Sequence, residues 1–177
     1  QGDIVLGADS HTCSYGALGA FSTGVGSTDL GGVLLTGKTW LRVPETLKIE
    51  LKGLLSHGVS AKDVILRIIG DLGSDGATYQ SVEYCGDGFA SLSQEDAITI
   101  CNMTIEMGGK SGVFIPALTD SKLIPDEDAS YCKVLRYNAQ TIEPMLSCPH
   151  TVDNVHPVHE LAGTKVDLVY LGSCTNG

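Results

Sequence analysis

Apolar and polar positions along this chain switch between two periods, and the switches mark its elements. Ile4, Val5 and Leu6 form a short apolar run closed by Gly7, which reads as a strand. Thr28 to Thr36 is predicted to be a short helix, with Ser27 or Thr28 as N-cap and Gly37 past its end. Trp40 to Val43 is expected to be extended, and Pro44 breaks it. From Thr46 to Leu51 the pattern alternates, Leu47, Ile49 and Leu51 against Lys48, Glu50 and Lys52, as in a half-buried strand. Ser60 and Asp63 form a capping-box start, followed by Val64, Ile65, Ile68, Ile69 and Leu72 at helical spacing. Val82 and Tyr84 predict a strand within 79–84, and Gly86-Asp87-Gly88 a turn. Ser93 and Asp96 repeat the helix start; Ala97, Ile100, Cys101 and Ile105 share one face, and Gly108-Gly109 end the helix. Val113 to Ile115 reads as a short strand closed by Pro116. An acidic loop from Ala117 leads to a strand over Tyr131–Tyr137, with Cys132 and Val134 set against Lys133 and Arg136. Ser147 to His159 holds Pro149, Asn154 and Pro157 and is expected to be an extended linker. Val166 to Leu171 is the last predicted strand, running into Gly172-Ser173-Cys174-Thr175-Asn176-Gly177.

Strands alternating with helices predict an α/β fold with a parallel or mixed sheet flanked by helices. The glycine-rich opening gives way to an ordinary α/β pattern near Pro44, and the proline-containing stretch precedes the Val166 strand. These breaks divide the chain into 1–44, 45–161 and 162–177. It begins and stops inside what read as continuing elements, and is expected to be a piece of a longer protein.

Side chains able to do chemistry stand at strand ends. Asp9, Ser10 and His11 follow the first strand, where open α/β sheets place their ligands. The same triplet also fits a turn and helix cap. Gly16, Ala17, Gly19 and Ala20 behind it would let a helix or a ligand approach the backbone closely. Cys174 stands in a second strand-end loop. Glu106 projects roughly opposite its helix's apolar stripe, with Asn102 one turn before it, and by pattern is a solvated carboxylate. His150, His156 and His159 are possible metal ligands, although their prolines favour the linker.

Composition narrows the class. With 177 residues, 42% of them hydrophobic, the chain can bury a sizeable core. Its 22 glycines exceed the usual share of about 7% and point to tight turns and close backbone approaches. A net charge of −10 argues against nucleic acid as a partner, but leaves an anionic small molecule open because local potential is not net charge. Six cysteines without a Cys-x-x-Cys read as reduced, intracellular thiols, and no apolar run is long enough to span a membrane. Neither a P-loop, a nucleophile elbow nor a dinucleotide fingerprint is present.

Gly7-Ala8-Asp9-Ser10-His11-Thr12, Gly24-Val25-Gly26 and Gly172-Ser173-Cys174-Thr175-Asn176 together resemble the aconitase superfamily. The nearest branch is that of 3-isopropylmalate dehydratase and homoaconitase large subunits. The resemblance runs in order along nearly all of the chain and implies three-layer α-β-α aconitase-like domains. The boundaries above would then mark the end of a first domain, a whole second one, and the first strand and cluster loop of a third. It implies a cytoplasmic hydro-lyase of leucine biosynthesis that isomerises a hydroxy di- or tricarboxylate by dehydration and rehydration. Its partner would be a small subunit carrying the swivelling domain. It also implies a [4Fe–4S] cluster held by three cysteines in the full-length protein, with Cys174 the first ligand and the other two after Gly177, so that none is expected in this piece alone. Asp9, Ser10 and His11 match the family's substrate-binding and catalytic triplet. Glu106 matches the helix glutamate that partners a site histidine, which reverses its reading as a surface carboxylate. Glu106 is accordingly expected within hydrogen-bond reach of His11. The family's catalytic serine and carboxylate-binding arginine are not supplied here: Arg42, Arg67 and Arg136 all lie between the two signatures in sequence.

Overall fold

The computed structural model describes residues 1–120, 123–170, 172–173 and 175. Strand β1 (Ile4–Gly7) pairs in parallel with β2 (Phe21–Gly24), Ile4 opposite Phe21 and Gly7 opposite Gly24. A 3-10 helix, Ser10–Leu18, crosses between them. Helix α1 (Ser27–Thr36) follows, then β3 (Thr46–Lys52), α2 (Ala61–Leu72), β4 (Ser81–Cys85), α3 (Asp87–Ala90) and α4 (Gln94–Asn102). A 3-10 turn, Met103–Met107, continues α4 into β5 (Ser111–Phe114). Next come β6 (Lys133–Asn138), β7 (Met145–Ser147) and β8 (Val155–Pro157).

The central sheet has the order β5-β4-β3-β6 and is parallel throughout. Leu47, Ile49 and Leu51 of β3 and Val82 and Tyr84 of β4 share one core with Val64, Ile65, Ile68 and Ile69 of α2 and Ile100 of α4. All of these are fully buried. Phe89 stacks edge-on to Tyr84 and Phe114, closing that core at 5.4 and 5.8 Å. The alternate β3 positions carry Lys48 and Glu50, where Arg136 of β6 meets Glu50 at 3.1 Å. The period-2 pattern thus did what it must, sending one set of side chains to the core and the other to the polar face. Two parallel sheets and the antiparallel β7–β8 pair make the whole mixed, as expected.

The glycines behind Asp-Ser-His have a structural task. Gly16 lies so close to Gly112 of β5 that a Cβ there would overlap the Gly112 carbonyl. Its absence lets the 10–18 helix pack directly on the sheet edge, and Ala17 joins the main core.

Several elements differ from the sequence reading. Strand β2 is not apolar: Ser22 and Thr23 are buried, and hydrogen bonds from Ser22 N to Ser111 Oγ (3.2 Å) and from Ser22 Oγ to Cys13 O (3.1 Å) hold it. The 147–159 stretch is no linker. Its ends pair as β7 and β8, Met145 opposite Pro157 and Ser147 opposite Val155. On β6 the phase is the other one: Leu135 and Tyr137 pack against the core while Cys132 and Val134 are exposed. Val166 to Tyr170 forms no strand, since it has no sheet beside it, and Val166, Leu168, Val169 and Tyr170 are exposed. Leu171, the end of that predicted strand, lies outside the described residues.

Candidate active site

Asp9 caps the 10–18 helix. Its Oδ1 accepts from His11 N at 2.6 Å, while its carbonyl accepts from Thr12 Oγ1 at 2.6 Å. The cap reading and the site reading therefore describe one arrangement, because the cap fixes the turn that presents His11. The His11 ring stands between two carboxylates. Nδ1 is 3.5 Å from Asp9 Oδ1 and 3.3 Å from Ser10 Oγ; Nε2 is 3.4 Å from Glu106 Oε1. His11 and Glu106 are half-buried, so their interaction is only partly screened by water.

Glu106 arrives from 95 residues away on the 3-10 turn after α4. The change of helix type explains why a helical projection misplaced it. Four steps from Asn102 at about 120° instead of 100° turn its side chain by roughly 80°. Asn102 itself is buried and ties three segments together. Its Nδ2 donates to Ser14 Oγ at 3.0 Å, and Ser14 Oγ donates to His11 O at 2.6 Å. Its Oδ1 accepts from the Thr175 hydroxyl. Cys174, the candidate cluster ligand, lies outside the described residues, but its neighbour Thr175 is anchored on Asn102 and thereby on the site's helix.

The other thiols of the site region are poor ligands. Cys13 is buried and its Sγ donates to Asn102 O at 3.4 Å; burial pushes it up to about 11. Cys101 is also buried, which raises it well above the ordinary thiol range. A metal ligand must be a thiolate, and both positions oppose that charge. The three histidines of the last segment do not converge. His156 meets Glu160 at 3.3 Å and Asn154 at 3.1 Å, and His159 meets Glu143 at 3.8 Å. Among the described residues no group of three or more His, Cys, Asp or Glu could hold a metal ion. No helix among them is long and apolar enough to cross a membrane.

A cavity of about 530 Å³ adjoins the triplet, with Ser10, Gly24, Asp29, Trp40, Tyr79 and Lys110 in its walls. Lys110 Nζ donates to Gly24 O at 3.3 Å and stands 5.6 Å from the centre of the Tyr79 ring. Arg42 lies 6.0 Å from the same ring, and its carbonyl accepts from Tyr79 Oη at 3.4 Å. Sequence separation had set Arg42 apart from either signature; the fold brings it to a residue of this cavity wall. Tyr79 has φ 59°, a left-handed conformation unusual for an aromatic residue. Lys110 and Tyr79 were not singled out, since neither has a pattern in sequence that marks it.

Parallel strands ending in a carboxylate, a hydroxyl and an imidazole, with a distant glutamate on that imidazole, define an α/β protein with a histidine–carboxylate cluster beside a cavity of mixed polar and apolar walls. The sequence profile of the aconitase family (aconitate hydratase) matches residues 1–124, and the chain belongs to that family. It is 48% identical to a probable 3-isopropylmalate dehydratase large subunit of Methanosarcina mazei, and 49% identical to one of Methanothermobacter thermautotrophicus. A probable methanogen homoaconitase large subunit of the latter organism is 47% identical. Each comparison covers 99% of this chain, which spans about 45% of the first two relatives and 44% of the third.

Proposed function

We propose that this chain is part of the large subunit of an iron–sulfur hydro-lyase that isomerises a hydroxy dicarboxylate, 3-isopropylmalate, by dehydration and rehydration. The His11–Glu106 pair beside the Ser10 cavity carries the reading. Loss of hydroxide from carbon needs a proton or a Lewis acid at the leaving oxygen, and an oriented imidazole is the side chain best matched to supply the proton near neutral pH. Glu106 at Nε2 fixes the ring, and Asp9 and Ser10 at Nδ1 set its other side. Ser10 also faces the cavity, where its hydroxyl is available to substrate.

The family implies a [4Fe–4S] cluster. Of the chain's thiols, Cys174 fits a ligand role by its motif; Cys13 and Cys101 do not, because burial keeps them protonated. The remaining ligands belong to other parts of the full-length protein. When bound, the cluster would supply an open iron that polarises the substrate's hydroxyl and carboxylate. The full enzyme works in the cytoplasm with a small subunit that contributes the serine and arginine missing here. The domain boundaries at 44 and 161 belong to the same reading.

Homoaconitase is the second reading, because a relative of that name is nearly as similar. The full-length protein, reconstituted anaerobically with its small subunit, distinguishes them. A higher kcat/KM for 3-isopropylmalate than for homocitrate is expected. The reverse order selects homoaconitase, and turnover of neither ends the hydro-lyase reading.

A further inference from the structure

The Tyr79 ring carries two cations, Lys110 at 5.6 Å and Arg42 at 6.0 Å. Among the described residues neither has a carboxylate within 4.0 Å, although Asp29 lines the same cavity as Lys110. Lys110 is half-buried, and the one hydrogen bond of its ammonium among the described residues uses a single proton on Gly24 O. An ammonium has three donors, so two remain for the cavity. A half-buried cation with no counter-ion is costly unless something anionic completes it. The cavity wall holds Lys110 and Asp29, and Arg42 adds a second positive charge at the Tyr79 ring. Both supports of the ammonium are fixed: Gly24 ends β2, and Tyr79 is held by its N–H on Gly108 O at 3.1 Å.

We propose that Lys110 binds a carboxylate of the substrate whose hydroxyl lies at Ser10 and His11, with the Arg42 charge at the same Tyr79 ring reinforcing it. Lys110 is a substrate-binding residue on this view and takes no part in proton transfer. A carboxylate clamped there would hold the reacting carbons against the triplet. The inference rests on the hydroxy-acid reading above and adds the residue that recognises the acid.

The test uses the full-length, cluster-loaded enzyme with its small subunit, and three variants: Lys110→Met, Lys110→Gln and Lys110→Arg. Loss of a charge-assisted hydrogen bond should raise KM roughly 10- to 100-fold in Lys110→Met and Lys110→Gln, with kcat changed less than about 3-fold. Lys110→Arg keeps the charge and should stay within about 5-fold of the original KM. Calorimetric titration with 2-isopropylsuccinate, which lacks the hydroxyl and cannot turn over, should show the same loss of affinity. Near-UV circular dichroism excludes a variant that fails to fold; Lys110→Gln then replaces Lys110→Met. Unchanged KM and unchanged 2-isopropylsuccinate affinity in an enzyme that turns over its substrate overturn the proposal. So does a fall in kcat at constant KM. If the original enzyme turns over no hydroxy acid, the functional reading fails, and the titration alone decides whether Lys110 takes a carboxylate.

Discussion

His11 has two carboxylate neighbours for two unrelated reasons. Asp9 is there because it caps the helix whose first turn carries His11, and Glu106 because α4 tightens to a 3-10 turn after Asn102. Removing the charge of Glu106 while keeping its shape, as Glu106→Gln, should lower kcat of the full enzyme by about two orders of magnitude. Thermal stability should change little, since the side chain is part-exposed; wild-type turnover in that variant removes the role given to both residues. The thiols make a separate prediction. Cys13 is raised from 9.0 to about 11, so its protonated form is favoured by folding. Its contribution is complete below pH 9 and is lost as pH rises through 11, and Cys101 adds in the same direction. Denaturant midpoints measured across pH 8–11 should fall, and Cys13→Ala should flatten the fall. At neutral pH, iodoacetamide should label exposed Cys132 in the native protein and spare Cys13 and Cys101, as read by mass spectrometry. Asp9, Ser10 and His11 were legible because a strand end and its cap are local. Glu106 was not legible from pattern, since a change of helix pitch leaves no trace in the spacing, and it was reached only through the family motif. Lys110 and Tyr79 meet across the fold and had no local mark.

At the scale of elements, legibility followed hydrophobic period. Strand β3 and helix α2 showed it fully, since each buries one whole face. Both capping-box starts are real. Asp63 Oδ2 accepts from Ser60 N at 2.7 Å, and Ser93 and Asp96 exchange bonds of 3.1 and 3.2 Å. Strand β2 escaped because buried hydroxyls and hydrogen bonds hold it, and the β7–β8 pair because each strand is three residues long and sends only Met145 and Val155 to the core. The β6 phase was misread because Cys132 and Val134 looked apolar, whereas the core takes Leu135 and Tyr137. The small-residue run behind the triplet was read for close approach, and Gly16 on Gly112 is that approach. Gly16→Ala would set a methyl against a backbone carbonyl that no rotamer change can move. It should cost about 2 kcal/mol or more and lower Tm by roughly 5 °C. Because the 10–18 helix also carries His11, the variant should lose turnover along with stability. A Gly16→Ala protein with unchanged Tm would mean that the helix does not sit on β5 this closely.

For the whole molecule, the question is what joins residues 1–37 to the rest. The proposed boundary at 44 falls in a stretch, 38–45, without helix or strand, and positions 38–43 are exposed. Yet the contacts across it are numerous and polar as well as apolar. Gln94 Nε2 donates to Ala17 O at 3.0 Å, Ser22 N to Ser111 Oγ at 3.2 Å, Lys110 Nζ to Gly24 O at 3.3 Å and Gln1 Nε2 to Ala117 O at 2.7 Å. With the Gly16–Gly112 approach and buried Ala17, the opening segment is seated on the sheet that follows it. A cut in an exposed loop removes none of these contacts, and such loops are where proteases act first. Limited trypsin should therefore cleave early after Lys38 or Arg42. The two pieces should still co-elute on native size-exclusion chromatography and part only in denaturant. Separation under native conditions would show that the segment before 44 is an independent unit merely tethered to its neighbour. His11 and Glu106 would then need the intact loop to meet, and nicking would abolish their interaction together with the Lys110 cavity.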